Sequence, residues 1–297
     1  MSTGGATRAG PSPVLVLPAL GFFAVFALAP MAIVAVLSFF SWDGLNTPRL
    51  IGFGNWTRFA QDSVTHQAIG RSLQVMALSW LVQTPVSLLL GVFLAGRQRY
   101  RAVFGTLYFL PLLLSSAAIA ITWKNVLDPN FGLLGPLGRR WEAFSENWLG
   151  NPDLALYVVI LVVSWQHIPF HTLLYQAAAR QVPASLYEAA SLDGAGRWAQ
   201  FRHVTLPQLR YTVVTSSTLV LVGSLTYFDL VFVLTGGGPG YATRILPLDM
   251  YVTGFAKYQM GYASAIAVVL VLVGVLMSLA LVRFSGFARM RSRLEGD

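Results

Sequence analysis

Glu188-Ala-Ala-Ser-Leu-Asp-Gly194, with Val204-Thr-Leu-Pro207 shortly after it, forms a compact polar island between two long apolar stretches, 154–178 and 211–234. The residue types suggest its local structure. Ser185 is suited to cap a short helix, with Glu188 three positions on closing a capping box. Gly194 should end that helix and Pro207 the next. The expected product is a helical hairpin outside the bilayer, presenting a docking surface.

The rest of the chain reads as membrane. Of 297 residues, 55% are hydrophobic and 11% charged, against roughly 25% charged in an ordinary soluble domain. Runs of about 20 apolar residues, each long enough to span a bilayer, fall near 14–40, 72–95, 105–123, 154–178, 211–234 and 261–282. The first run is too long for a cleaved signal, whose apolar region covers only about 7–15 residues, and reads as a retained span. The reading is an all-α membrane protein of six spans. A tail over 1–13 precedes a transmembrane domain over 14–284, which carries the loop 179–210, and a second tail covers 285–297.

Charge sets the orientation. With both termini cytoplasmic, the inner segments carry twelve basic residues (Arg8, Arg97, Arg99, Arg101, Arg180, Arg197, Arg202, Arg210, Arg283, Arg289, Arg291, Arg293) and four acids (Glu188, Asp193, Glu295, Asp297). The other segments balance, so the net +8 lies on one face, as the positive-inside rule requires. The Glu188 island is therefore expected in the cytoplasm. Trp42, Trp56, Trp123, Trp141 and Trp148 fall near outer span ends, where they read as interfacial anchors. Pro30, Pro85, Pro111 and Pro169 lie within spans, where a proline often marks a break beside a cavity.

Several function classes fall away. No cysteine is present, which excludes disulfides and thiolate chemistry within the chain. The basic residues are scattered among short loops and form no nucleic-acid stripe. Thr235-Gly-Gly-Gly-Pro-Gly240 lacks the Lys-Ser/Thr of a phosphate loop and reads as a tight external turn. Neither a Gly-x-Ser-x-Gly elbow nor a His-Glu-x-x-His pair occurs, so an intramembrane enzyme is disfavoured.

Glu188-Ala189-Ala190, Asp193-Gly194-Ala195, Val204 and Leu206-Pro207 together resemble the cytoplasmic signature loop of the membrane subunits of binding-protein-dependent ABC importers. Leu234-Thr-Gly-Gly-Gly-Pro239, Tyr251, Phe255 and Met260-Gly-Tyr-Ala263 further resemble the carbohydrate branch, of maltose and glycerol-3-phosphate type, and within it the first of two non-identical permeases. The first outer loop is short, where the maltose type has a large inserted domain.

The resemblance implies a type I importer permease fold in a bacterial or archaeal cell membrane. It implies as partners a second permease, two ATPase subunits and an extracytoplasmic solute-binding protein. ATP and Mg would be bound by the ATPases, leaving no cofactor in this chain. The signature loop would form a coupling helix in a cleft of an ATPase, with Glu188 facing a basic group there and Ala189 and Ala190 allowing close approach. An acid in a largely basic loop fits an external cation.

A solute path is the second candidate site. Ser164, Gln166, His167, Phe170 and His171 in the fourth span, and Ser224, Tyr227 and Phe228 in the fifth, place polar and aromatic groups at bilayer depth, where they usually face a bundle interior or a watery cavity. Hydroxyl-binding groups beside aromatic faces suit a sugar. Asp229 could pair with a cation or order the glycine turn. With His167 and His171 it could instead form the relay of a proton-coupled secondary transporter, but that class needs no Glu188 hairpin and the chain shows no inverted repeat.

Overall fold

The computed structural model describes residues 16–96, 99–133, 135–136 and 146–284. The expected tails and Trp141 lie outside them. In chain order the main elements are α1 (Leu17–Leu37), a hairpin of β1 (Phe40–Ser41) and β2 (Arg49–Leu50), α2 (Gly54–Gln61), α3 (Ser63–Leu94), α4 (Arg99–Tyr108), α5 (Ser116–Val126), α6 (Ala155–Arg180), α7 (Ala184–Leu192), α8 (Arg210–Gly223), α9 (Phe228–Leu234), α10 (Leu246–Tyr251) and α11 (Met260–Phe284).

Among the described residues, α1, α3, α6 and α11 are each long and apolar enough to cross a membrane. A fifth candidate is the pair Arg210–Thr226 and Phe228–Leu234, bent by 50°. The bend has a local cause. Ser224 Oγ donates to Leu221 O at 2.7 Å and Thr226 Oγ1 to Gly223 O at 2.7 Å, so side chains take carbonyls from the helical ladder and the helix tightens before Tyr227 breaks it. The stretch expected as a third continuous span, 105–123, is interrupted. Pro111 lies in a 3₁₀ turn over Leu110–Leu113, Leu114 is extended, and Ser115 restarts the chain as α5 by accepting the Ala118 amide at 3.2 Å.

Two other prolines are absorbed differently. Pro30 follows a π-turn at Ala24–Leu28, and Pro207 follows one at Phe201–Thr205. A proline ring crowds the carbonyl four residues back, and the wider turn there relieves it. The helical path therefore runs through Pro207 to Gln208, which corrects the expectation that Pro207 itself stops the helix.

The chain divides into two compact units, one of residues up to Gln61 with Thr253–Val269, the other of Asp62–Val252 with the residues from Leu270. Within the first, Phe40 pairs with Leu50 and Ser41 with Arg49. Asn55 is buried and donates to Ser38 O at 2.9 Å and Phe40 O at 2.8 Å. Arg58 lies over the Tyr262 ring at 4.0 Å and donates to Gln259. Asp43 accepts the amides of Leu45 and Asn46, and those bonds hold its carboxyl at a pKa of about 2.

The second unit is built on the seam between α3 and α6, its most extensively packed helix pair. Thr65, Ala68, Ser72, Val75, Ser79, Gln83, Ser87, Gly91 and Leu94 recur every three or four positions and are all buried. Small residues let the backbones approach, which is how helices associate where lipid removes the hydrophobic drive. At Gly91 a Cβ would stand 2.5 Å from Tyr175 Cβ and 2.9 Å from the Gln176 nitrogen and Thr172 oxygen. Polar atoms close the seam: Ser87 Oγ donates to Ile168 O at 3.2 Å, and Gln176 Nε2 to Leu94 O at 2.9 Å, satisfying a carbonyl at the end of α3. The core of this unit gathers Val75, Ile119, Val159, Val163, Leu230, Leu234 and Leu248.

Candidate coupling hairpin and solute cavity

The signature loop forms the expected helix, α7, with a different beginning. Its N-cap is Pro183, held extended at ψ 134°, and no side chain caps it. Ser185 therefore lies inside the first turn, correcting the capping-box expectation: proline's fixed φ suits the entry to a helix and moves the start upstream. Gly194 ends the helix, at φ +76°. The Ala195 amide donates to Ala190 O at 2.9 Å and the Gly194 amide to Ser191 O at 3.0 Å, the bond pair of a Schellman motif.

The returning limb is tied to α7 by side chains. Tyr187 OH and Thr205 Oγ1 are 2.9 Å apart, and Gln200 Nε2 donates to Ser191 Oγ at 3.0 Å and Ala195 O at 2.9 Å. What the hairpin holds in place is exposed. α7 has no buried residue. Glu188, Ala189, Asp193, Gly194, Leu206 and Pro207 are exposed, Ala190 is half-buried, and among the described residues Glu188 forms no ion pair. Leu192 is 90% exposed and Trp198 69%. A braced hairpin showing an acid and two large apolar side chains, one on each limb, has the chemistry of an interface.

The second site lies at the bend of the fifth candidate span. A cavity of about 330 Å³ is lined by Ser116, His167, Phe170, His171, Leu219, Gly223, Thr226, Tyr227, Asp229 and Leu230. Tyr227 and Asp229 flank the point where the helix breaks and restarts, so the bend turns both toward the same space as the α6 histidines. His167 Nδ1–H donates to Val163 O at 2.9 Å, and His171 Nδ1 lies 3.0 Å from Ser216 Oγ. His167 and Tyr227 are in ring contact, centroids 4.9 Å apart.

Thus His167, Phe170, His171 and Tyr227 come together, while four other expected residues lie elsewhere. Ser164 is buried with its Oγ 3.5 Å from Gln83 Nε2, and Gln166 Nε2 donates to Ser116 Oγ at 3.1 Å from behind the cavity wall. Ser224 bonds its own helix, and Phe228 stacks on Phe232 and lies tilted against Tyr251 in a cluster of three rings. The sequence reading missed Ser116 and Thr226, which reach the cavity only because the spans that carry them are broken.

It also missed a buried network. Arg244 Nε donates to Asp249 Oδ1 at 2.8 Å, Thr65 Oγ1 to Asp249 Oδ2 at 2.9 Å, and the Leu246 amide to Ser72 Oγ at 2.8 Å, joining α10 to α3. Asp249 is 1% exposed. The glycine run turns as expected, with positive φ at Gly236, Gly237 and Gly240. It is held by Thr243 Oγ1, which donates to Gly238 O at 2.8 Å and lies 2.7 Å from Thr235 Oγ1. Among the described residues Asp229 forms no ion pair.

Residues 87–288 match the family described as "Binding-protein-dependent transport system inner membrane component", and the chain belongs to it. It is a multi-pass membrane protein of the ABC permease class. It is 33% identical to the probable ABC transporter permease protein YurN of Bacillus subtilis (strain 168) over 276 residues, 91% of this chain and 94% of that one. It is 31% identical over 267 residues to the diacetylchitobiose uptake system permease protein NgcF of Streptomyces coelicolor, covering 84% of this chain and 75% of that one. In fold it is similar to the crystal structure of a bacterial ABC transporter involved in the import of the acidic polysaccharide alginate, with a TM-score of 0.82, 22% identity, and 94% and 95% of the two chains covered.

Proposed function

We propose that the chain is one permease subunit of an ATP-driven importer for an oligosaccharide, spanning the cell membrane six times with both termini in the cytoplasm. The transmembrane domain runs over 14–284 between the two tails, with the coupling loop at 179–210. A second permease completes the pathway, two ATPase subunits bind ATP and Mg, and an extracytoplasmic binding protein delivers the solute. Relatives named for lactose, arabinooligosaccharide and diacetylchitobiose uptake support a saccharide.

The observation that carries the reading is the exposed, internally braced hairpin with Glu188 unpaired among the described residues. Glu188, Ala189, Ala190, Asp193, Gly194, Leu206 and Pro207 form its ATPase-facing surface. ATP-driven closure of the ATPases draws the hairpins of the two permeases together, and the bundles pass between two packed arrangements that expose the pathway alternately to each side. His167, Phe170, His171 and Tyr227 line that pathway directly, and Ser164, Gln166, Ser224 and Phe228 support it from the surrounding helices.

An exposed ion pair is worth only about 0–1 kcal/mol, so shape holds the dock and Glu188 sets its register. Glu188→Lys places like charge against the partner's cation. The expected result in reconstituted complex is ATP hydrolysis uncoupled from uptake, with the unfolding of the chain unchanged. Wild-type uptake by that variant would reject the assignment. A proton-coupled carrier is disfavoured, and uptake driven by a proton gradient without any ATPase would restore it.

A further inference from the structure

The cavity at the bend has an uneven charge, and this bears on which saccharides it accepts. Among the described residues its lining holds one carboxylate, Asp229, two imidazoles, and neither lysine nor arginine. Cations on the lining helices lie toward their ends. Arg180 is about 13 Å of helix rise beyond His171, Arg210 about 13 Å before Leu219, and Lys124 about 12 Å beyond Ser116. At such separations, with water in the cavity, their field is largely screened.

His167 Nδ1–H is committed to Val163 O, which in the neutral ring leaves Nε2 as an acceptor. Asp229 is exposed, heads the restarted helix α9, and forms no ion pair among the described residues. The cavity therefore offers acceptors: a carboxylate with two oxygens and an imidazole nitrogen. Sugar hydroxyls can donate to both. A uronate carboxylate or a phosphate has no proton to donate at neutral pH and meets Asp229 as like charge.

We infer that Asp229 makes this cavity selective for uncharged saccharides and against uronates and sugar phosphates. The inference rests on the carbohydrate-permease reading and adds a specificity-determining residue to it. The carboxylate accepts from a hydroxyl pair while Phe170 and Tyr227 supply apolar faces for the ring; Ser116, whose oxygen accepts from Gln166, keeps a proton to donate, and Thr226, whose proton goes to Gly223 O, can accept.

The test is ligand-observed saturation-transfer NMR on the full transporter complex in nanodiscs, without ATP and without binding protein, so that the binding protein's own preference does not enter. One panel is neutral (cellobiose, xylobiose, maltotriose, diacetylchitobiose) and one anionic (cellobiouronate, digalacturonate, an alginate disaccharide). The wild type should bind at least one neutral sugar and every uronate at least about tenfold more weakly. Asp229→Asn is isosteric and removes the charge: neutral binding should fall about fivefold, as a charged acceptor becomes a neutral one, while uronate binding rises.

Uronate binding within about threefold of neutral binding in the wild type, or no rise in Asp229→Asn, would overturn the role of Asp229 and leave the saccharide reading standing. Tighter binding of chitosan dimer, which carries amines, than of diacetylchitobiose would overturn the uncharged class in favour of cations. Binding of no sugar from either panel would remove the saccharide reading and the inference together.

Discussion

The α3–α6 seam and the α7 hairpin are both helix pairs, yet they are held by opposite means. The seam is a long burial of small side chains, with backbones so close that a methyl group at Gly91 has no room. The hairpin buries almost nothing and is held by a Schellman turn and a few side-chain bonds at its own ends. Fold stability should therefore reside in the seam and its neighbouring network, whereas the hairpin keeps its shape by local chemistry and leaves its faces for another molecule.

The largest loss of stability should come from the network beside the seam. Asp249→Ala strands Arg244 as a buried unpaired cation, and breaking such a pair costs about 3–5 kcal/mol. An SDS-titration unfolding curve would read it. The double variant Arg244→Met, Asp249→Leu removes both charges and should recover most of that loss, since apolar replacement of a whole pair is often neutral. Failure to recover would mean that the lost bond from Thr65 to Asp249, and not the stranded Arg244, carries the destabilisation.

Next is Gly91→Ala, where backbone atoms of α6 must move to admit the methyl. A loss of about 1–3 kcal/mol is expected by the same measurement. A neutral result would show that α3 and α6 slide apart without cost, and the contrast with the hairpin would weaken. Gly194→Ala should cost less, about 1–2 kcal/mol and confined to the hairpin, because open space surrounds Gly194 and only its positive φ is penalised. Hydrogen exchange should quicken in Ala184–Gln208 and stay unchanged in α3.

These regions also differ in how far the sequence disclosed them. The hairpin was legible because its determinants are local: a polar island, Gly194 at the turn, and a spacing that resembles a known loop. Its start was misread because Ser185 fits a cap by composition, while Pro183 two residues earlier already meets the entry geometry. Apolar runs located the long spans, but counting apolar residues cannot see Leu114 extended between two helices, nor the π-turns ahead of Pro30 and Pro207. The small-residue repeat from Thr65 to Gly91 was present in the sequence, disguised as a merely mixed span. In the Arg244, Asp249 and Thr65 network only the Arg244–Asp249 pair is local, and nothing in the sequence ties it to Thr65, 184 positions away. At the cavity, the α6 residues followed from helical spacing, whereas Ser116 and Thr226 depended on the breaks themselves.

The smallest expected change in stability is at Leu192, and it separates the two regions most sharply. A leucine 90% exposed contributes almost no buried area to the isolated chain, so Leu192→Ser should shift the unfolding free energy by no more than about 0.5 kcal/mol. In assembled transporter the same side chain, one turn from Glu188, would be covered by an ATPase. Fully burying a leucine is worth about 1.5–3 kcal/mol, so its loss should weaken assembly by about tenfold or more. Co-purification of ATPase subunits across a dilution series would measure this. An unchanged complex with an unchanged fold would mean that Leu192 remains in solvent throughout and lies outside the proposed dock.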